Sequence, residues 1–372
     1  MMIQRLPPSL TPLDVALAVL LDRLEPVAPF ELPVMDVLGC VAADIPPLKA
    51  HPPGDTAIAD GWALRARDLV GASSYSPLPL TKSPVWVEAG DTMPEACDCV
   101  IDSDSVDQIG PISHVLVEAI PGQGVRRIGG DIAEGNLVIA SGQWIRPLDL
   151  LVARAAGLQR LNVRRPRLRI VNIPATSGDA VTAQLILESA RAAGADVIFS
   201  EAAVRDAASI ARALDTASCD LLITTGGSGV GRTDAAVIAL AERGEVLAHG
   251  IALRPGRTAA VGWIGKTPVI VLPGAPDQAL AMWWTLALPV LDRLSARQPR
   301  APLSLPLARK IASSVGIAEI ALLERNDDMW TPLAIGDMPL EIIARSDAWL
   351  AVPTGSEGFA AGTPVGAYML RD

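Results

Sequence analysis

Aromatic residues make up only 3% of this 372-residue chain although 50% of it is hydrophobic. The core therefore has to be built from Ala, Val, Leu and Ile, the stock of open α/β sheets and helical layers. Cysteine is scarce too. Cys40, Cys97, Cys99 and Cys219 form no C-x-x-C pair, and with no secretory signal in view, reduced thiols and a cytoplasmic location are expected. Cys97-Asp98-Cys99 would put two thiols on one side of a strand, which suits small buried core residues as well as a soft-metal pair. The three histidines, His51, His114 and His249, are too dispersed for a metal motif. Clustered positive charge is also missing. The net charge is −10, and the only basic stretch, residues 164–169, reads as a solvated lead-in to a strand, which argues against a nucleic-acid partner. The apolar run from Val15 to Leu21 is bounded by Asp14 and Asp22 and is too short to span a bilayer, so a soluble protein with no membrane partner is expected.

What the chain has in quantity is punctuation: 31 glycines and 31 prolines. Its length suggests about two to three domains. Residues 10–25 read as an amphipathic helix with Thr11 as N-cap and Pro12 at its first position. Residues 46–130 read as short strands and turns, a small β-rich domain. Within it, Asp60-Gly61 suits a simple turn. A helical pattern follows at 147–156, and composition then shifts. Strands are predicted at 168–173, 196–199, 219–225 and 268–272, and helices at 181–193, 206–216, 234–243 and 276–291. This alternation predicts a doubly wound, mainly parallel sheet with ligands at the strand carboxyl ends. After a proline-bearing linker near residue 300, the remaining residues return to a β-rich pattern.

One stretch stands at such a carboxyl end: Leu221-Leu222-Ile223-Thr224-Thr225-Gly226-Gly227-Ser228-Gly229-Val230-Gly231-Arg232-Thr233-Asp234. A strand meets a glycine-dense loop and then a helical pattern with Asp234 in its expected first turn. Glycines let successive backbone N–H groups face one concavity, and a helix start adds unpaired donors, so the loop suits an anion. A tight strand-to-helix turn explains the same residues. The loop fits neither a P-loop nor G-x-G-x-x-G.

Several separated motifs line up with one family. Asp60-Gly61-Trp62-Ala63 resembles its S-A-M-D-G-Y-A loop, and residues 225–234 resemble its T-G-G-x-S-x-G-x-x-D loop. Arg254-Pro255-Gly256-Arg257 with Leu272-Pro273-Gly274-Ala275-Pro276 resembles its K-P-G-K and L-P-G-N-P pair. Residues 90–101 and 126–135 resemble two further segments. The chain is thereby similar to the MoeA and gephyrin E-domain family, elongated homodimers that insert molybdenum into molybdopterin from molybdate and an adenylated pterin.

The resemblance implies a multidomain α/β protein in four parts: 1–45 with 131–163 as a discontinuous linker and dimerisation domain, 46–130 as an inserted β-rich domain, 164–297 as a MogA/MoeA-like doubly wound molybdopterin-binding domain, and 298–372 as a C-terminal β-domain. It implies Asp60, Asp131 and Asp234 as catalytic carboxylates, joined by Asp179, with Asp60 and Asp234 as ligands for Mg²⁺. Thr225, Gly226, Gly227, Ser228, Gly229, Gly231, Arg254, Arg257, Pro273 and Gly274 are implied to bind the pterin. Adenylated molybdopterin and molybdate are the implied substrates. A homodimer is implied, with a conventional family member or a molybdoenzyme as further candidate partners.

The departures cluster in this site. The family's T-G-D-E-L is Ser177-Gly178-Asp179-Ala180-Val181, so an acidic residue has become alanine, and the loop that ends in D-S-N is absent. Arg254 and Arg257 replace lysines, a change of binding geometry at constant charge. Ala89, Gly229 and Ala275 stand where threonine, serine and asparagine are usual, and Ile317 and Leu322 where arginines are common. Two readings follow: a divergent molybdenum insertase, or a paralogue that binds pterin, cofactor or a partner without inserting metal.

Overall fold

The computed structural model describes residues 4–109, 112–137, 139–174 and 180–371. At its centre is a six-stranded sheet in the spatial order Asp196–Glu201, Arg167–Asn172, Leu221–Thr225, Thr267–Leu272, Ala260–Ile264, Glu245–His249. The first four strands run parallel and the last two join antiparallel. Side chains alternate between faces as the strand period requires. Leu221 and Ile223 enter one hydrophobic cluster with Leu168, Ile170 and Ile270, whereas Leu222 enters the other with Val171, Val269 and Val271. Burial on both faces explains the unbroken apolar run of the central strand.

The doubly wound expectation holds for the parallel half, but the strands Glu245–His249 and Ala260–Ile264 fall where no strand is predicted. Gly265-Lys266 is a two-residue connection, with Gly265 at φ +60, and it folds Ala260–Ile264 back onto Thr267–Leu272 as a hairpin. The single helix expected over 276–291 is Pro276–Met282, a π-type turn Trp283–Ala287, and Leu288–Leu294. Pro289 lacks the N–H that would bond the carbonyl of residue 285, and the wider turn absorbs that lost bond.

The first helix is Leu13–Leu21, and Thr11 does not cap it. Pro12 takes the N-cap position while the Thr11 backbone is committed elsewhere, donating to the Gly250 carbonyl at 2.8 Å and accepting from Ala252 N–H at 2.7 Å. This helix buries Ala16 and Leu20 in the α/β core. By contrast Phe30–Pro33 and Val41–Ala42 pair with Arg160–Arg164, so distant parts of the chain share one small sheet, against which Leu150 and Ala153 of the helix Pro147–Ala155 pack. Residues 56–126 form small antiparallel sheets. The last β-rich part is built on the long hairpin Ala318–Asn326 and Met329–Ile335, and Leu253–Arg254 pairs in parallel with its first strand. Among the described residues no helix is long and apolar enough to cross a membrane.

Candidate functional site

The strand Leu221–Thr225 ends at the crevice where its neighbours Arg167–Asn172 and Thr267–Leu272 also end. There the backbone turns through Gly226 and Gly227 at φ +91 and +68, a region open to glycine and strained for other residues. A cavity of about 260 Å³ opens beside this turn. Thr225, Gly226, Gly227, Ser228 and Gly229 line one side, Pro273, Gly274 and Ala275 the other, and Ala180, Thr182 and Ala183 at the start of the helix Val181–Ala192 close it. Thr182 Oγ1 donates to the Gly274 carbonyl at 2.6 Å, fixing that helix to the second loop.

The glycine loop faces the cavity with its donors free. Gly226 N–H bonds the Leu272 carbonyl and Gly231 N–H bonds Asp234, but the N–H groups of Gly227, Ser228, Gly229 and Val230 have no acceptor among the described residues. Successive unpaired N–H groups in one concavity attract an anion.

Asp234 sits two residues before the helix Ala236–Arg243, outside the first turn expected for it. Its carboxylate turns back onto the loop, where Oδ2 accepts Gly231 N–H at 2.9 Å and Oδ1 meets Arg205 Nη2 at 2.7 Å. Arg205 also donates to the Pro174 carbonyl and lines the same cavity. The turned carboxylate depends on Gly229, since a Cβ there would lie 2.6 Å from Asp234 Oδ2. Glycine at 229 and the Arg205–Asp234 pair are thus one coupled feature.

Behind the cavity a polar chain ties three strand ends together. Asn172 Nδ2 donates to Glu201 at 2.9 Å and Asn172 Oδ1 accepts from Thr225 Oγ1 at 3.2 Å. His249 is half-buried with Nε2 3.1 Å from the Ser228 carbonyl, and burial pushes its pKa below the usual histidine value against the opposing backbone hydrogen bonds.

The other expected residues lie elsewhere. Asp60 is exposed in the β-rich part, where Oδ1 accepts Ala89 N–H at 2.8 Å, and Asp131 pairs with Arg126 at 3.2 Å. Neither lines the cavity. Asp179 falls outside the described residues. Arg254 reaches across to the C-terminal part and pairs with the buried Glu319 at 3.1 Å. Burial raises the Glu319 pKa, but hydrogen bonds from Ser313, Ser314 and Arg254 outweigh it and hold the carboxyl below its usual value. Arg257 is exposed, and neither arginine lines the cavity. Cys97 lies in a turn, not beside Cys99 on the strand Cys99–Ile101, and burial pushes the Cys99 thiol up to about 11.

For a resident magnesium the donor set is thin. Among the described residues no three or more His, Cys, Asp or Glu cluster to hold a metal, and the cavity's carboxylate, Asp234, is already engaged by a guanidinium. The described residues of a single chain do not fit a protein-held Mg²⁺ here.

Residues 11–157 match the model of the MoeA N-terminal region (domain I and II), and residues 174–293 match the "Probable molybdopterin binding domain" model. The chain belongs to the MoeA and gephyrin E-domain family. Similar curated members include molybdopterin molybdenumtransferase 2 of Mycobacterium tuberculosis, 29% identical over 316 residues and covering 73% of this chain and 77% of that protein. The molybdopterin molybdenumtransferase of Synechococcus elongatus is 26% identical over 358 residues, covering 84% of this chain and 87% of its own length. The crystal structure of a MoeA protein from Pyrococcus horikoshii superposes with a TM-score of 0.72 at 24% identity, covering 98% of this chain and all of that one, so the two share a fold. Apart from Asn172 and Ile173, the residues lining the glycine-loop cavity fall inside the matched molybdopterin-binding segment. Against that family pattern, Arg205, Asn172, Thr182 and Gln278 are cavity residues that sequence reasoning passed over. For Arg205 a signal existed: it follows the strand Asp196–Glu201 closely, at a carboxyl end where such sheets bind ligands.

Proposed function

We propose that this MoeA-family protein binds the phosphate of adenylated molybdopterin, or the molybdate oxyanion, in the glycine-loop cavity and catalyses insertion of molybdenum with release of AMP. The observation that carries the reading is the run of four N–H groups, 227–230, with no acceptor among the described residues, in the loop that lines the same cavity as Arg205. Backbone donors and a planar cation are complementary to a phosphate or molybdate oxyanion. A volume of about 260 Å³ suits the anionic end of the ligand better than a whole adenylated pterin. The remainder of the ligand then lies against a second copy of the chain. In such a homodimer the exposed Asp60 supplies a second carboxylate to the cavity of the other copy.

Asp234 has two roles in this account. Paired with Arg205, it keeps the empty cavity from presenting bare positive charge. An arriving oxyanion takes over the guanidinium and leaves the carboxylate to orient water or a hydroxyl at the reacting phosphate. A second reading, binding without insertion, draws on Ala180 at the cavity wall and on the strength of the Arg205–Asp234 contact at 2.7 Å.

Purified protein incubated with adenylated molybdopterin, molybdate and Mg²⁺ separates the two. Insertion predicts AMP release well above an Asp234→Ala control. Saturable quenching of pterin fluorescence with no AMP above that control supports the binding reading instead, and neither signal would overturn both.

A further inference from the structure

Gln4 lies 223 residues from Gly227 in sequence, yet its side chain is 5% exposed and plugs the back of the glycine loop. Its Nε2 donates to the carbonyls of Gly227 at 3.3 Å and Gly229 at 2.5 Å. Its Oε1 accepts the N–H of Val237 at 3.1 Å, one of the donors left open at the start of the helix Ala236–Arg243. The intervening carbonyl, that of Ser228, is met by His249 Nε2 at 3.1 Å. Three consecutive peptide units therefore have their oxygens held, two by Gln4 and one by His249. A trans peptide is planar, with its N–H pointing opposite to its C=O. Holding the oxygens of 227, 228 and 229 turns the N–H groups of 228, 229 and 230 the other way, and these are among the donors with no acceptor among the described residues.

We propose that Gln4 is a positioning residue of the anion cradle, the N-terminal segment acting as a strap that sets the peptide orientation of the glycine loop. The proposal rests on the reading of the cavity as an oxyanion site. The strap is fastened independently of Gln4, by the two Thr11 backbone hydrogen bonds to Gly250 and Ala252 and by Leu6 and Leu10 close to Gly250. An amide is suited to the role because it offers donors and an acceptor on one planar group. Glutamate of the same shape would still accept from Val237 but would set a carboxylate against two carbonyl oxygens. Methionine keeps the volume and makes neither bond.

The test uses the full-length protein with inorganic pyrophosphate as probe, comparing wild type, Gln4→Met and Gln4→Glu by calorimetric titration, with amide hydrogen exchange as the second readout. The expected result is a roughly tenfold or greater loss of pyrophosphate affinity in Gln4→Met, larger in Gln4→Glu. Exchange should accelerate at Val237, whose N–H Gln4 accepts, and stay unchanged in the strands of the sheet. Wild-type affinity in Gln4→Met overturns the proposal while leaving the oxyanion site standing. Lost affinity with faster exchange throughout the α/β sheet also overturns it, since Gln4 would then be a structural plug. A wild-type protein that does not bind pyrophosphate removes the oxyanion reading and this one with it. Should Gln4→Glu fail to fold, Gln4→Met alone decides.

Discussion

Two glycine-bearing loops carry this chain's strongest motifs, and they end in opposite surroundings. The loop at 225–234 is enclosed, walled by a second loop and a helix start, and held from behind by Gln4 and His249. The loop at 55–61 lies on the surface, where Asp60 closes a short local network with Ala89. One loop lines a cavity with backbone from a single chain. The other has a side chain that, in the proposed homodimer, becomes useful only against a second copy. Motif density therefore marks both, and enclosure distinguishes them.

The largest expected effect breaks the enclosed loop electrostatically. Arg205→Met leaves Asp234, 16% exposed, without its cation and should cost about 2–4 kcal/mol in urea unfolding. Pairing it with Asp234→Asn should recover most of that loss. A simple sum of the two single effects would show that the pair is not coupled.

Gly226→Ala attacks the same loop through its backbone. It forces a Cβ at φ +91 to within 3.0 Å of the Ile173 carbonyl, and about 1–3 kcal/mol of stability should go together with pyrophosphate binding. Unaltered binding would mean that the loop's shape does not matter to the ligand.

Gly229→Ser sharpens the comparison. Its Cβ would crowd Asp234 Oδ2, so the carboxylate should leave Arg205, visible in a crystal structure of the variant. An Asp234–Arg205 pair left in place would dissolve the link drawn between these positions.

A pH titration probes the loop's rear support. The His249 pKa is depressed in the folded state from 6.5, so the unfolded chain binds the proton more readily. This contribution to stability is complete above pH 6.5 and is lost as pH falls below it, a slope that His249→Asn should reduce.

The smallest effect belongs to the exposed loop. Asp60→Ala removes one surface hydrogen bond, and stability should change by under about 1 kcal/mol with pyrophosphate affinity unaltered. In the proposed dimer, AMP release should nevertheless fall, and full activity in Asp60→Ala would count against a shared site.

The sequence made the parallel half of the sheet legible because strands buried on both faces leave continuous apolar runs, and the helix expected over 181–193 is observed as Val181–Ala192. The glycine loop was legible for the same reason, standing at the end of such a run. The partners that define its chemistry were not. Gln4 and Arg205 reach it from 223 and 29 residues away, contacts that no local period encodes. Thr11 shows the opposite failure. It has the chemistry of a cap, but its backbone is taken by a tertiary pairing with residues 250 and 252. The alanine-rich pattern after Asp234 predicts a helical position for it, whereas its carboxylate is drawn onto the loop and Arg205 before the helix begins.

The central claim is that the cradle is made of peptide N–H groups, and amide NMR of the deuterated protein titrated with pyrophosphate addresses it directly. Saturable shifts concentrated at Gly227, Ser228, Gly229 and Val230 are predicted. Pyrophosphate that binds without moving these amides, or that shifts only the exposed loop around Asp60, would contradict it.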